Sequence, residues 1–260
     1  MISWVTAAAT GVAGLVVGDY VTVLIERAPA ARTVSGSFHE LTRHPAGECP
    51  RCTARLRAAD LIPLAAWART GGTCRHCGED YGAWHPAAEI LTAVTFALIG
   101  LGLGPSPALP AFCFLAAISV ALAFIDVAHR RLPDLLTLPS YPVAIVALGA
   151  AAPFVRHGAA HLIQATIGLA AALAFYLLLA LIYPAGIGWG DVKLSGLLGL
   201  YLGWAGPGEL VIGLAAGFVL AAVAGVALIA AGKATRRSQI AFGPFMLAGA
   251  LAVIIGAGLS

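Results

Sequence analysis

The chain has 260 residues, of which 60% are hydrophobic and only 10% charged, with 15 basic against 12 acidic side chains and a formal net charge of +3. Together with a mean hydropathy of +0.91, this excludes a water-soluble globular domain, and so small a basic excess gives no reason to invoke nucleic acid. It points to an all-α polytopic protein in a lipid bilayer, whose hydrocarbon core takes about 20 helical residues to cross.

Apolar runs of sufficient length are predicted as spans near residues 2–25, 86–103, 110–128, 135–152, 159–183, 209–231 and 240–259, with a shorter, weaker eighth at 194–206. The first run lacks a basic segment before it and is followed directly by Glu26 and Arg27, so it reads as an uncleaved anchor. Threading about eight transmembrane helices through the chain places 14 of the 15 Lys and Arg residues on one side, with only Arg156 opposite. Basic residues accumulate in loops that stay cytoplasmic. The N-terminus is therefore expected outside and the long loop after the first span inside. The expected division is a first transmembrane helix at 1–25, a cytoplasmic insertion at 26–85 and a membrane domain at 86–260.

The insertion carries eight arginines and four of the five cysteines. Cys49 and Cys52 lie in "CPRC", and Cys74 and Cys77 follow 21 residues later in "CRHC". Two C-x-x-C pairs at this separation look like a zinc ribbon, in which four thiolates surround one tetrahedral ion. A reducing cytoplasm argues against paired disulfides, although redox or unbound thiols stay open on spacing alone. Four protein ligands leave no position for water, so the metal would be structural and supply much of the folding energy of a small loop. His76, inside the second knuckle, is then unnecessary as a ligand, and Cys113, alone in an apolar run, reads as a packed small hydrophobe.

Acidic side chains in or beside spans are costly and tend to mark function. The chain offers Asp19, Glu89, Asp126, Asp134, Asp191 and Glu209. Asp134 follows Pro133 at a span start, where a carboxylate suits the helix dipole and the free N–H groups, and Glu209 needs only water at an outer end. Asp126 in "ALAFIDVAHRR" and Asp191 in "GIGWGDVKL" are predicted at the same depth on the cytoplasmic side. Two carboxylates meeting in a partly dry site cannot both be ionised, which suits aspartyl proteolysis: one takes a proton from water while the other donates to the carbonyl. Gly186, Gly188 and Gly190 let the chain leave the helix and let a substrate strand approach. A proton-coupled transporter would also use such acids, and a non-catalytic zinc-containing scaffold would not need them. Lys193 either biases the charge of Asp191 or snorkels to the interface, and His129 fits a basic inner loop. Trp67, Trp84, Trp189 and Trp204 are expected near membrane interfaces.

The segment "GIGWGDVKLSGLLGLYLGW" resembles the G-x-G-D signature of membrane aspartyl proteases, and its flanks resemble the type IV prepilin peptidase family in particular. "FIDVAHRRLPDLLTLP" is similar to that family's first aspartate motif and "IAFGPF" to its closing motif, while "CPRC", "DLIPLAAW", "GGTCRHCG" and "HPAAEILTA" follow the order of its cytoplasmic loop. The resemblance implies that Asp126 and Asp191 are the catalytic pair and that Cys49, Cys52, Cys74 and Cys77 bind zinc. It further implies cleavage of prepilin or pseudopilin leaders at the cytoplasmic face of the bacterial inner membrane, after a glycine. In many members, S-adenosylmethionine then methylates the new N-terminal amine. Gly71 and Gly72 match a glycine position associated with that second activity. In "GDYVTVLIERAP" the chain departs from the pattern, with Asp19 for a small polar residue and Thr22 for an amide.

Overall fold

The computed structural model describes residues 2–27, 52, 54, 64–78, 80, 82–184, 186–233, 235, 238 and 240–259. Among these the architecture is helical, with no strand beyond an isolated bridge between Thr73 and Asp80. The elements are α1 (Ile2–Arg27), a short α2 (Ala65–Thr70), α3 (Trp84–Leu103), α4 (Leu109–His129), α5 (Asp134–Ala151), α6 (Gly158–Ile182), α7 (Trp189–Ala205), α8 (Pro207–Ala230) and α9 (Gly243–Leu259). A turn of 3-10 helix, Ala152–Phe154, extends α5. In lipid a helix satisfies its own backbone hydrogen bonds, so a chain this apolar has few alternatives.

Six of these helices, namely α1, α3, α4, α5 with its 3-10 turn, α6 and α8, are long and apolar enough to cross a membrane. The count differs slightly from the expectation of about eight, whose other two positions are taken by the shorter helices α7 and α9. Helices α7 and α9 have 17 residues each, a length of about 26 Å at the usual rise, short of the roughly 30 Å hydrocarbon core. For α7 the difference has a packing reason: every residue from Leu194 to Trp204 is buried, so neighbouring helices meet it where lipid would otherwise do so. Helix α4 is similarly enclosed, with a buried run from Leu115 to Leu122. Helix α8 has the opposite character. Only Gly213 and Gly217 are buried, while Val211, Ile212, Val219, Val223, Val226 and Ile229 are exposed. Such a wide apolar surface belongs against acyl chains.

Small residues let the helices approach closely, as is usual where lipid provides no hydrophobic drive between them. Helix α1 lies along α3, and a methyl group on Gly14 or Gly18 would fall 2.8 Å from the Cα of Ala93 or Glu89. Helix α6 lies along α7 through Gly168, Gly199 and Gly203, where backbone meets backbone. Helix α9 packs on α8 at Gly217 and Gly249 and contacts α3, α4 and α7. Thr22, one of the departures in α1, is buried and donates to the Asp19 carbonyl at 2.7 Å, so its hydroxyl needs no partner from another helix.

Trp204 corrects an interface expectation. It is buried at the end of α7, where the His161 Nδ1–H donates to its carbonyl at 2.8 Å. Trp189 at the other end of α7 is exposed, as expected for an interfacial indole. Cys113 lies half-buried against the apolar core.

Candidate active site

Asp126 occupies the last turn of α4 and is 5% exposed. The helix ends just beyond it because Arg130 adopts a left-handed conformation, φ 51°, and donates its N–H to the Asp126 carbonyl. The Asp126 carboxylate accepts a hydrogen bond at 3.1 Å from the N–H of Gly243, the first residue of α9. Glycine is required there, since an added Cβ would lie 2.8 Å from Asp126 Oδ2. We expect Gly243→Ala to displace that carboxylate and lower the rate of any reaction at this site by at least about tenfold, with the protein still folded; an initial-rate assay beside a thermal melt checks this.

Asp191 stands in the first turn of α7. The chain enters that helix through Gly188, whose extended backbone lets its N–H donate to Asp191 Oδ2 at 3.3 Å while its carbonyl accepts from the Asp191 and Val192 N–H groups. Leu132, from the connection after α4, meets a glycine beside each carboxylate. An added Cβ on Gly190 would fall 2.9 Å from the Leu132 Cβ, and one on Gly243 would fall 3.5 Å from its Cδ1. The glycine before Asp191 and the glycine that holds Asp126 thus pack on one leucine, and the two carboxylates lie close enough to interact electrostatically. Each is presented from one helix end and steadied by one backbone N–H. His129 and Arg130 are exposed.

Lys193 does not serve Asp191. Its Nζ reaches Asp134 Oδ1 and Oδ2 of α5 at 2.7 and 2.8 Å, and Tyr141, held between Pro139 and Pro142, donates to the Lys193 carbonyl. The carboxylate read from sequence as a helix cap is therefore one half of an inter-helix ion pair. It ties the start of α7 to α5. The two side chains are 37% and 46% exposed, so water screens them and the pair contributes about 0.2–1 kcal/mol. A double-mutant cycle with Lys193→Met and Asp134→Asn should return a coupling in that range.

In the insertion between α1 and α3, the sulfurs of Cys52, Cys74 and Cys77 lie within 4.8 Å of one another, with Cys52 Sγ 3.9 Å from Cys74 Sγ. Tetrahedral zinc with bonds of about 2.3 Å requires sulfurs about 3.8 Å apart, so the donor set fits the ion. Cys49, the expected fourth ligand, lies outside the described residues. His76 is exposed and is not part of the cluster. Gly71 and Gly72 shape the approach to the second knuckle. Gly71 is the left-handed C-cap of α2, φ 62°, and Gly72, φ 77°, is buried where an added Cβ would meet the Trp67 indole nitrogen at 2.5 Å. An added Cβ on Gly71 would meet nothing within 4 Å among the described residues, whereas one on Gly72 would meet Trp67.

Among the described residues the insertion is tied to α3 through Leu64, and the two helices that flank it are tied to each other through His85 and Glu26. Buried Glu89 of α3 accepts the Leu64 N–H at 2.7 Å, and His85 pairs with Glu26 of α1 at 3.0 Å. Neither contact was anticipated from the sequence.

Residues 12–102 match the family model described as the bacterial peptidase A24 N-terminal domain, and residues 113–260 match that of the type IV leader peptidase family. The chain belongs to the type IV leader peptidase family. Relatives include the prepilin leader peptidase/N-methyltransferase of Aeromonas salmonicida strain A449, 34% identical over 221 residues that cover 82% of this chain and 72% of that protein. The similarly named proteins of Burkholderia pseudomallei strain K96243 and Dickeya chrysanthemi are each 32% identical, over 94% and 93% of this chain and 83% and 90% of their own lengths. No solved structure matches the chain. Family membership and the six apolar helices together make it a multi-pass membrane protein and an enzyme of the leader peptidase class.

Proposed function

We propose that this protein cleaves the leader peptides of type IV prepilins or pseudopilins by a two-aspartate mechanism and then N-methylates the new terminal residue with S-adenosylmethionine. The observation that carries the reading is the approach of Asp126 and Asp191 to within electrostatic reach of each other, each steadied by a backbone N–H. One carboxylate, ionised, takes a proton from water as its oxygen attacks the scissile carbonyl carbon. The other donates its proton to the carbonyl oxygen. When the tetrahedral intermediate collapses, the C–N bond breaks and the leaving amine takes up a proton. A transporter would place its polar groups near the bilayer midplane, whereas these acids stand at helix ends on one side.

In this reading both carboxylates and the insertion face the cytoplasm, the N-terminus lies outside, and the membrane is the bacterial inner membrane. The chain divides into a first helix at 1–25, a zinc-binding domain at 26–85 and the peptidase domain at 86–260. Cys49, Cys52, Cys74 and Cys77 would hold a structural zinc ion. S-adenosylmethionine, when bound, would supply an electrophilic methyl group to the new amine, with the thioether as leaving group and one proton released to solvent. Gly71 would lend open backbone to that co-substrate, while Gly72 supports the turn from behind.

The test is mass spectrometry of a prepilin incubated with the reconstituted protein and S-adenosylmethionine. The expected product lacks its leader and carries one added methyl group. An intact prepilin beside folded protein would reject the reading.

A further inference from the structure

Helices α6 and α7 run antiparallel and meet in register every four residues. Gly203 sits on the Gln164 carbonyl, Gly199 on the Gly168 carbonyl, and the Ser195 hydroxyl reaches the Ala172 carbonyl at 3.3 Å. One turn further along both helices, the next pair in this ladder is Tyr176 and Asp191. The register thus sets a tyrosine opposite one of the two aspartates, and the two interact electrostatically.

Tyr176 is fully buried, and its hydroxyl has no hydrogen-bond partner among the described residues. Its ring is fixed by stacking on Phe218, with centroids 5.5 Å apart at 19°, and by Phe242, centroids 6.3 Å apart, next to the Gly243 that holds Asp126. A buried hydroxyl without a partner is costly and uncommon. Two other buried hydroxyls, Ser119 and Tyr201, are also unpartnered among the described residues. Ser119 lies seven residues before Asp126 and Tyr201 ten residues after Asp191, about 10 and 15 Å along their helices. Tyr176 is therefore set apart by its place beside the carboxylates.

We propose that Tyr176 is a further catalytic residue, whose hydroxyl donates a hydrogen bond to the scissile carbonyl oxygen as that oxygen gains negative charge. The acceptor arrives with the substrate. A fixed donor in a site closed to water is worth most when charge develops on the oxygen, and a site of this kind typically loses about 10²–10³ in kcat when one donor is removed. The proposal rests on the two-aspartate reading above.

The test is Tyr176→Phe, assayed for leader cleavage beside wild type and Asp191→Asn, with thermal melts of all three in the same detergent. Phenylalanine keeps the ring contacts and removes an unpaired hydroxyl, so the melting temperature should hold or rise. The expected result is a fall in kcat of about a hundredfold with KM within threefold. A kcat within twofold of wild type would overturn the proposal. So would a rise in KM alone, or a loss of activity that tracks a loss of thermal stability. Cleavage by Asp191→Asn would sink the two-aspartate reading itself, and this proposal with it.

Discussion

Asp126→Asn and Asp191→Asn are each expected to lower leader cleavage by about a thousandfold while leaving thermal unfolding close to wild type. Asparagine matches aspartate in shape, and its amide oxygen can still accept the Gly243 N–H at position 126 or the Gly188 N–H at position 191. What it cannot do is exchange a proton. Because the two groups share one reaction, the double variant should be no slower than the worse single variant by more than a few-fold. Losses that simply multiplied would mean that the carboxylates act in separate steps. Side-by-side rates for the three variants, with circular dichroism to confirm helix content, decide between these outcomes.

Removal of the zinc proposed for the insertion should separate the two proposed activities. The aspartates are carried by α4 and α7, whereas the cysteine cluster lies in the insertion, joined to α3 through the Leu64–Glu89 contact. Without the ion, a module of about 60 residues loses much of its folding energy. Chelation, or Cys74→Ser at the most buried of the three sulfurs, is expected to open the insertion to proteolysis and abolish methyl transfer. Leader cleavage should fall less than tenfold. Limited proteolysis and product mass on one sample measure both effects; an insertion that stays protected without metal would refute a structural role for the ion.

Hydropathy made the long helices legible, because nothing else in the chain can satisfy a backbone in lipid. It was less informative for α7. The glycines that let α5 and α6 press against that helix lower its apolar signal, so a short enclosed helix and a weak span look alike in sequence. The proposed catalytic pair stood out in the sequence through scarcity, since few carboxylates occur in the apolar runs and a charge there is costly. Asp134 was misread because a first-turn acid has a local explanation, while its partner Lys193 is 59 residues away. Tyr176 was missed for the opposite reason. Inside "AFYLLLALI" it is one more bulky residue of a span, and only the register of α6 against α7 shows what it faces.

That register also governs how the protein can change over time. At Gly168, Gly199 and Gly203 the two backbones touch, so these positions reject any side chain on volume alone, whatever its chemistry. One end of the same helix pair therefore tolerates no growth, while the other end tolerates no exchange of functional group. A saturation library of α7 would show both kinds of intolerance within 17 residues. Drift in this pair is left to the exposed side of α6, so substrate preference is freer to diverge through residues outside the pair.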